Sequence, residues 1–308
     1  MADSHPLPAA LEPDPHEHGW ASAEVESIAA SILRAWDLFG DVAGTADLEA
    51  PSRKSGWLAR DIVAKVGEWD IGRRLDHLLA DAHDGDADFY DQDALDEAVR
   101  THAAQLPVED TLAAVARSRD TTAAWLQSDG PETWGLVHTS SPLGPLPVLT
   151  VLHAMTYQLS IATLDLEPCG VVVPSELMHI GLGALIDTTG ALAGRSHITG
   201  SFVATTPELI LGVGSRSGHW HTAVLDADPL QGPAVIAPAR TVLDVTSGRA
   251  NVASLYRSGE LRVRDLSGML RLAPVLDGIP GIPPLGRVGR ALSAVDAAVG
   301  GLLGRFRR

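Results

Sequence analysis

The chain has 308 residues, 45% of them hydrophobic and 20% charged, with a formal net charge of −16. That length allows one large domain or two ordinary ones, and the apolar share excludes a chain disordered throughout. The acidic balance excludes a general nucleic-acid role, because phosphate binding needs basic surface, and it suits a soluble cytoplasmic protein kept apart by its own charge.

The N-terminal stretch MADSHPLPAALEPDPHEHGW, residues 1–20, is acidic and Pro-rich and reads as a disordered tail. It lacks the charged-then-apolar pattern of a signal peptide. His16 and His18 in its HEH have weak metal-binding capacity, and a solvated tail is the simpler reading. From about 21 to 168 the pattern is helical. Val25, Ile28, Ile32 and Trp36 recur at 3–4 spacing, and a second helix is expected from about 57 to the low 80s. In it Leu58, Ile62 and Trp69 fall within roughly 40° of one another, and Lys65 falls inside the same apolar stripe. A third helix covers 92–104 or continues past Pro107 into DTLAAVARSRDTTAAWLQ. The fourth, 146–166, is apolar nearly all round, as a central bundle helix should be. Four such helices predict a bundle. The loop HDGDADFYDQD carries five aspartates. Phe89 and Leu95 stand where a calcium loop needs Gly and Glu, so it reads as a solvated acidic loop.

After Pro168 the texture changes. Residues 174–193 predict another helix. From 197 come β-like runs, HITGSFVATTP, LILGVG, HWHTAVLDA and AVIAPA, followed by TVLDVTSGR and SLYRSGELRVRDLSG. His219 and His221 share one strand face, but no third metal ligand is visible, so they read as a polar face. Residues 285–308 form an amphipathic, Arg-flanked pattern that either packs on the protein or lies on a membrane surface. No run of about eighteen apolar residues predicts a membrane span. Cys169, the single cysteine, excludes an internal disulfide and reads as a buried hydrophobe. Glycine-rich phosphate loops, GxSxG and HExxH are absent from the sequence.

The stretch PSRKSGWLARDIVAKVGEW, residues 51–69, resembles the signature S-R-x-x-G-W-x-x-R-D-x-x-A-H of the mycothiol-dependent maleylpyruvate isomerase family. Ser52, Arg53, Gly56, Trp57, Arg60, Asp61 and Ala64 match it. The fourth helix is similar to the family's E-x-x-x-H-x-x-D-L segment, with Asp165 and Leu166 in place. SFVATTPE and GHW resemble its second domain. The resemblance implies an α+β protein: a DinB-like four-helix bundle over 21–168, then a smaller sterol-carrier-like α+β domain with a C-terminal basic helix over 169–308. It also implies a divalent metal, typically zinc, held by one His of the second helix and a Glu and a His of the fourth, which activates the thiol of mycothiol.

This sequence departs at all three ligand positions, which carry Lys65, Gln158 and Ala162. A protonated lysine cannot ligate zinc, glutamine is a weak ligand and alanine is none. His153 and His77 point elsewhere by helical angle. The expectation is therefore no metal and no cofactor, with a ligand-binding cleft at Lys65, Asp61, Gln158 and Ala162. Lys65 would replace the metal's positive charge with Asp61, one turn earlier, as its partner, or else snorkel to solvent. The implied function is a degenerate family member that binds a small molecule or lipid, or regulates. The alternatives are an active zinc- and mycothiol-dependent isomerase or thiol transferase, and a scaffold that contacts a membrane or partner through residues 285–308.

Overall fold

The computed structural model describes residues 7–68, 75–85, 87–88 and 91–271. The chain forms two compact units, one of Trp20–Thr188 and one made of the segment up to Gly19 together with Thr189 onward. The helical unit holds α1 (Trp20–Ala23), α2 (Val25–Thr45), α3 (Ala59–Glu68), α4 (Leu75–Asp84), α5 (Gln92–Ala103), α6 (Val108–Leu126) and α7 (Gly130–Trp134). A two-stranded ribbon of β1 (His138–Thr139) and β2 (Leu146–Pro147) leads into α8 (Val148–Leu166), and α9 (Ser175–Arg195) follows.

Periodicity explains these elements. Ile28, Ile32, Ala35, Trp36, Phe39 and Val42 put a buried stripe on α2. α8, without a polar face, is buried along almost its whole length. α2 packs on α8 and α6, and α3 packs on α6, α5 and α8. Pro107 stands at the N-cap of α6, where its missing N–H costs nothing, so α5 and α6 are separate helices. Of the helix expected from 57 to the low 80s, Ala59–Glu68 and Leu75–Asp84 are helical, and residues 69–74 lie outside the described residues. α9 is long and apolar enough to cross a membrane by length and composition, yet 89% of that window is buried inside the protein, as in a core helix.

In the other unit, β3 (Gly200–Thr205), β4 (Ile210–Arg216), β5 (His219–Val224), β6 (Ala234–Ile236) and β7 (Arg262–Arg264) form a sheet of order β5-β4-β3-β6-β7. All its pairs are antiparallel except β3 with β6. TVLDVTSGR, expected among the β-like runs, instead supplies α10 (Ala239–Thr246), because Ala239, Val242 and Leu243 bury at helical spacing. α11 (Val252–Ser258) and α12 (Leu266–Arg271) flank β7.

The tail expected over residues 1–20 is corrected for residues 7–19. Leu11 is fully buried with Val203 and Ala234, and Ile210, Ala223 and Leu225 pack on that cluster. Apolar burial of one leucine, worth about 2 kcal/mol, offsets part of the ordering cost of the segment. β4 makes room with glycines: a Cβ on Gly214 would strike the Leu11 carbonyl oxygen. His18 then bridges Trp220 in parallel, with Gly19 N–H donating to Trp220 O at 2.8 Å. The strap thus pairs with the outer edge of β5 at Trp220, on the kind of edge that otherwise invites pairing with another chain. The two units part within α9, at Thr188/Thr189, whereas the change of texture in the sequence comes at 168/169. The expected basic helix of 285–308 lies outside the described residues.

Candidate functional site

The loop that opens α3 is built by the residues that carried the resemblance. Ser52 N–H and Oγ both donate to Trp57 O at 2.9 Å, and Trp57 N–H donates to Lys54 O at 3.0 Å. Gly56 turns the chain at φ +79°, where a side chain is disfavoured. Arg53 N–H donates to the Asp165 carbonyl at 2.8 Å, which ties the loop to α8. Arg60 reaches Glu49 at 3.3 Å. Asp61 is buried, and its Oδ2 accepts from Leu58 N–H at 2.8 Å. That is the return half of a capping box, and it occupies Asp61 at the helix start.

α3 is buried nearly all round: Ala59, Asp61, Ile62, Val63, Ala64 and Val66 are all inaccessible, while Lys65 keeps 25% of its side chain exposed. The partner of Lys65 is not Asp61 but Asp96 of α5, at Nζ–Oδ1 2.5 Å. The other oxygen of the same carboxylate, Oδ2, accepts from Lys54 Nζ at 2.7 Å. Two ammonium groups therefore share one carboxylate. Lys54 Nζ also stands 3.5 Å over the Trp57 ring, a cation–π contact. Burial pushes the Lys54 ammonium below its ordinary value. The bond to Asp96 works against that shift, and the neighbouring Lys65 charge adds to it.

Gln158 is exposed on α8, Ala162 is buried on the same helix, and α8 packs on α3. Among the described residues no hydrogen bond joins Gln158 to Lys65. The predicted set is thus brought onto two packed helices, but its contacts run to residues that sequence reasoning missed, Asp96 and Lys54. Lys54 lay inside the recognised motif. Asp96 gave no signal, because it pairs with lysines 31 and 42 positions away along the chain.

The three ligand positions do not fit zinc. Lys65 carries its charge into an ion pair, Gln158 offers one neutral amide and Ala162 only a methyl. His153 serves elsewhere: its Nδ1 lies 3.4 Å from Asp187 Oδ2, both side chains buried, and Asp187 Oδ1 accepts from Trp20 N–H at 3.3 Å. His77 is half exposed beside Asp76 on α4. In the sheet unit the HEH and HWH stretches meet. Ring centroids of His16 and His18 lie 5.8 and 5.6 Å from that of His219, and His221 Nδ1 lies 2.6 Å from Glu17 Oε1. Among the described residues, no three His, Cys, Asp or Glu side chains converge closely enough to hold a metal ion. Cys169 is buried, and burial pushes its thiol up.

No family model matches the chain, and no curated protein matches its sequence. Among solved structures, the mycothiol-dependent maleylpyruvate isomerase aligns over 86% of this chain and 98% of its own, at TM-score 0.51 and 15% identity. A histidine-to-alanine variant of that isomerase aligns over the same shares at TM-score 0.50 and 15% identity. The chain shares that fold, a helical bundle with a smaller α+β unit, as the motif of residues 51–69 implied.

Proposed function

We propose that this chain, built on the maleylpyruvate isomerase fold, has exchanged the metal of that fold for a fixed lysine cation and binds a small molecule in its helical unit rather than activating a thiol. The observation that carries this reading is Lys65, which stands at the expected metal-ligand position and is held by Asp96 together with Lys54. An ammonium gives a positive charge to attract a ligand, but it has no empty orbital to lower a thiol's pKa as a metal does. Catalysis of the metal–thiol type would need a ligand set that Lys65, Gln158 and Ala162 do not supply.

The retained motif supports the same reading. Ser52, Gly56, Trp57 and Asp61 shape and cap the loop, so they are needed whether or not a metal is bound. The loss of ligands and the retention of the loop are what a binding protein on an inherited scaffold would show. Fold alone does not fix activity, so the test is direct.

The protein is expressed with zinc and without a metal-binding tag, and its metal content is measured by elemental mass spectrometry. The expected ratio is near zero, both in the native chain and in a His219→Ala variant that removes the imidazole cluster of the sheet unit. One zinc per chain retained by His219→Ala overturns the reading. As a positive control, Lys65→His/Gln158→Glu/Ala162→His should gain zinc.

A further inference from the structure

We infer that Lys54 and Lys65 form a carboxylate-binding cradle, that Asp96 fills it as a built-in surrogate, and that the ligand of the helical unit is a small organic carboxylate that displaces Asp96. This names the ligand class at the site proposed above and rests on that reading.

The geometry is the argument. Each oxygen of Asp96 takes one ammonium, Lys65 on Oδ1 at 2.5 Å and Lys54 on Oδ2 at 2.7 Å. These are charge-assisted distances, and the bridging arrangement is specific to a two-oxygen anion. The cradle's elements are fixed independently of Asp96. Lys65 rides on α3, buried on its other sides, and Lys54 sits in a loop closed by Ser52, Trp57 and the Asp165 carbonyl, with its charge against the Trp57 ring. With Asp96 withdrawn, two positive charges would remain side by side in a half-buried place, each penalised by burial and by the other.

The cradle is also reachable. The Lys54 and Lys65 side chains keep 31% and 25% of their surface exposed, and Asp96 keeps 14%. Two lysines face Asp96, and Asp165 adds a negative field at Lys54. A monocarboxylate replaces Asp96 charge for charge.

Asp96 competes from within the chain, and a tethered group acts at a high effective concentration. The native protein should therefore bind a bare carboxylate weakly, and removal of the Asp96 charge should strengthen binding, the reverse of what loss of an ordinary contact residue does. α5 is the element that must yield. It is tied to α3 by this ion pair and by the small cluster Ala64, Val99 and Ala103.

The test uses the full chain, with sodium acetate as the probe and sodium chloride at equal ionic strength as the control. Thermal midpoints and titration calorimetry are read for the native protein, Asp96→Ala, the isosteric Asp96→Asn, and Asp96→Ala/Lys65→Met. The expected result is that both single variants start with a lower midpoint, that acetate but not chloride restores it, and that acetate binds them at least about tenfold more tightly than it binds the native chain. The double variant should lose the response. Equal effects of acetate and chloride on the single variants would overturn the cradle. An acetate response as strong in the native chain would overturn Asp96 as its occupant. Should Asp96→Ala fail to fold, Asp96→Asn alone decides both points. Zinc content plays no part in this readout, so its failure is separable from failure of the metal-free reading.

Discussion

Leu11→Ala tests whether the strap of residues 7–19 is a structural part of the sheet unit. Leu11 is fully buried, and its neighbours Val203 and Ala234 are buried too. Its side chain also lies over Gly212, where an added Cβ would meet both Leu11 methyls, so Leu11 fills the space that this glycine leaves. Truncation loses the transfer energy of the removed carbons and leaves a cavity, for about 2–5 kcal/mol. With a urea m-value of roughly 2 kcal/mol/M, the middle of the usual range, the sheet unit should unfold about 1–2.5 M earlier. Pulse proteolysis in urea, with fragments identified by mass, reads that unit separately from the helical one. A loss under about 0.5 kcal/mol, the range of ordinary surface substitutions, would refute the packing argument and return residues 7–19 to the status of a tail.

Two further outcomes follow from groups with a stated electrostatic cause. Arg264 holds Asp228 through two bonds of 2.8 Å and keeps its carboxyl below the ordinary value, with Leu230 N–H and Thr205 assisting. A depressed acid stabilises the fold above its unfolded pKa and loses that contribution as pH falls through the folded one. The sheet unit should therefore weaken on acidification, and Asp228→Asn should cost about 1.5–3 kcal/mol near neutrality while flattening the acid limb of a urea-midpoint-against-pH series. A parallel series in the variant would refute this. Cys169 is buried with its thiol pushed up, so an aromatic disulfide reagent should label it far more slowly in the native protein than in urea; equal rates would place it in the open.

The helices were legible where burial follows a period. α2 and α8 could be read from the sequence because one face or every face is apolar, and Pro107 marked the break before α6. TVLDVT was not, because a short run rich in Val, Leu and Thr satisfies strand propensity until tertiary packing selects Ala239, Val242 and Leu243 as the inward face. The strap was missed for a related reason. A Pro-rich acidic segment with two leucines has no period, and what orders it is a glycine-lined strand two hundred positions away. At the site, α3 and the loop before it were readable because the bonds that shape them, Ser52 to Trp57, Trp57 to Lys54 and Leu58 to Asp61, are local. The Lys65 partner was not, since local spacing favoured Asp61 and only the packing of α5 on α3 reveals Asp96.

The sheet unit is assembled from the two ends of its chain, with Glu17 reaching His221 across 204 positions. During synthesis the strap emerges long before β5, which follows only after the helical unit. The helical unit can fold as it appears, whereas Leu11 has to wait for β4 before it has anywhere to go. That wait makes closure of the sheet unit a late, high-contact-order event, and until it happens the β5 edge is bare. The strap is therefore made well before the strands it packs on and is among the last segments to find its place, and the interval between the two is when the chain is most open to pairing with another copy of itself.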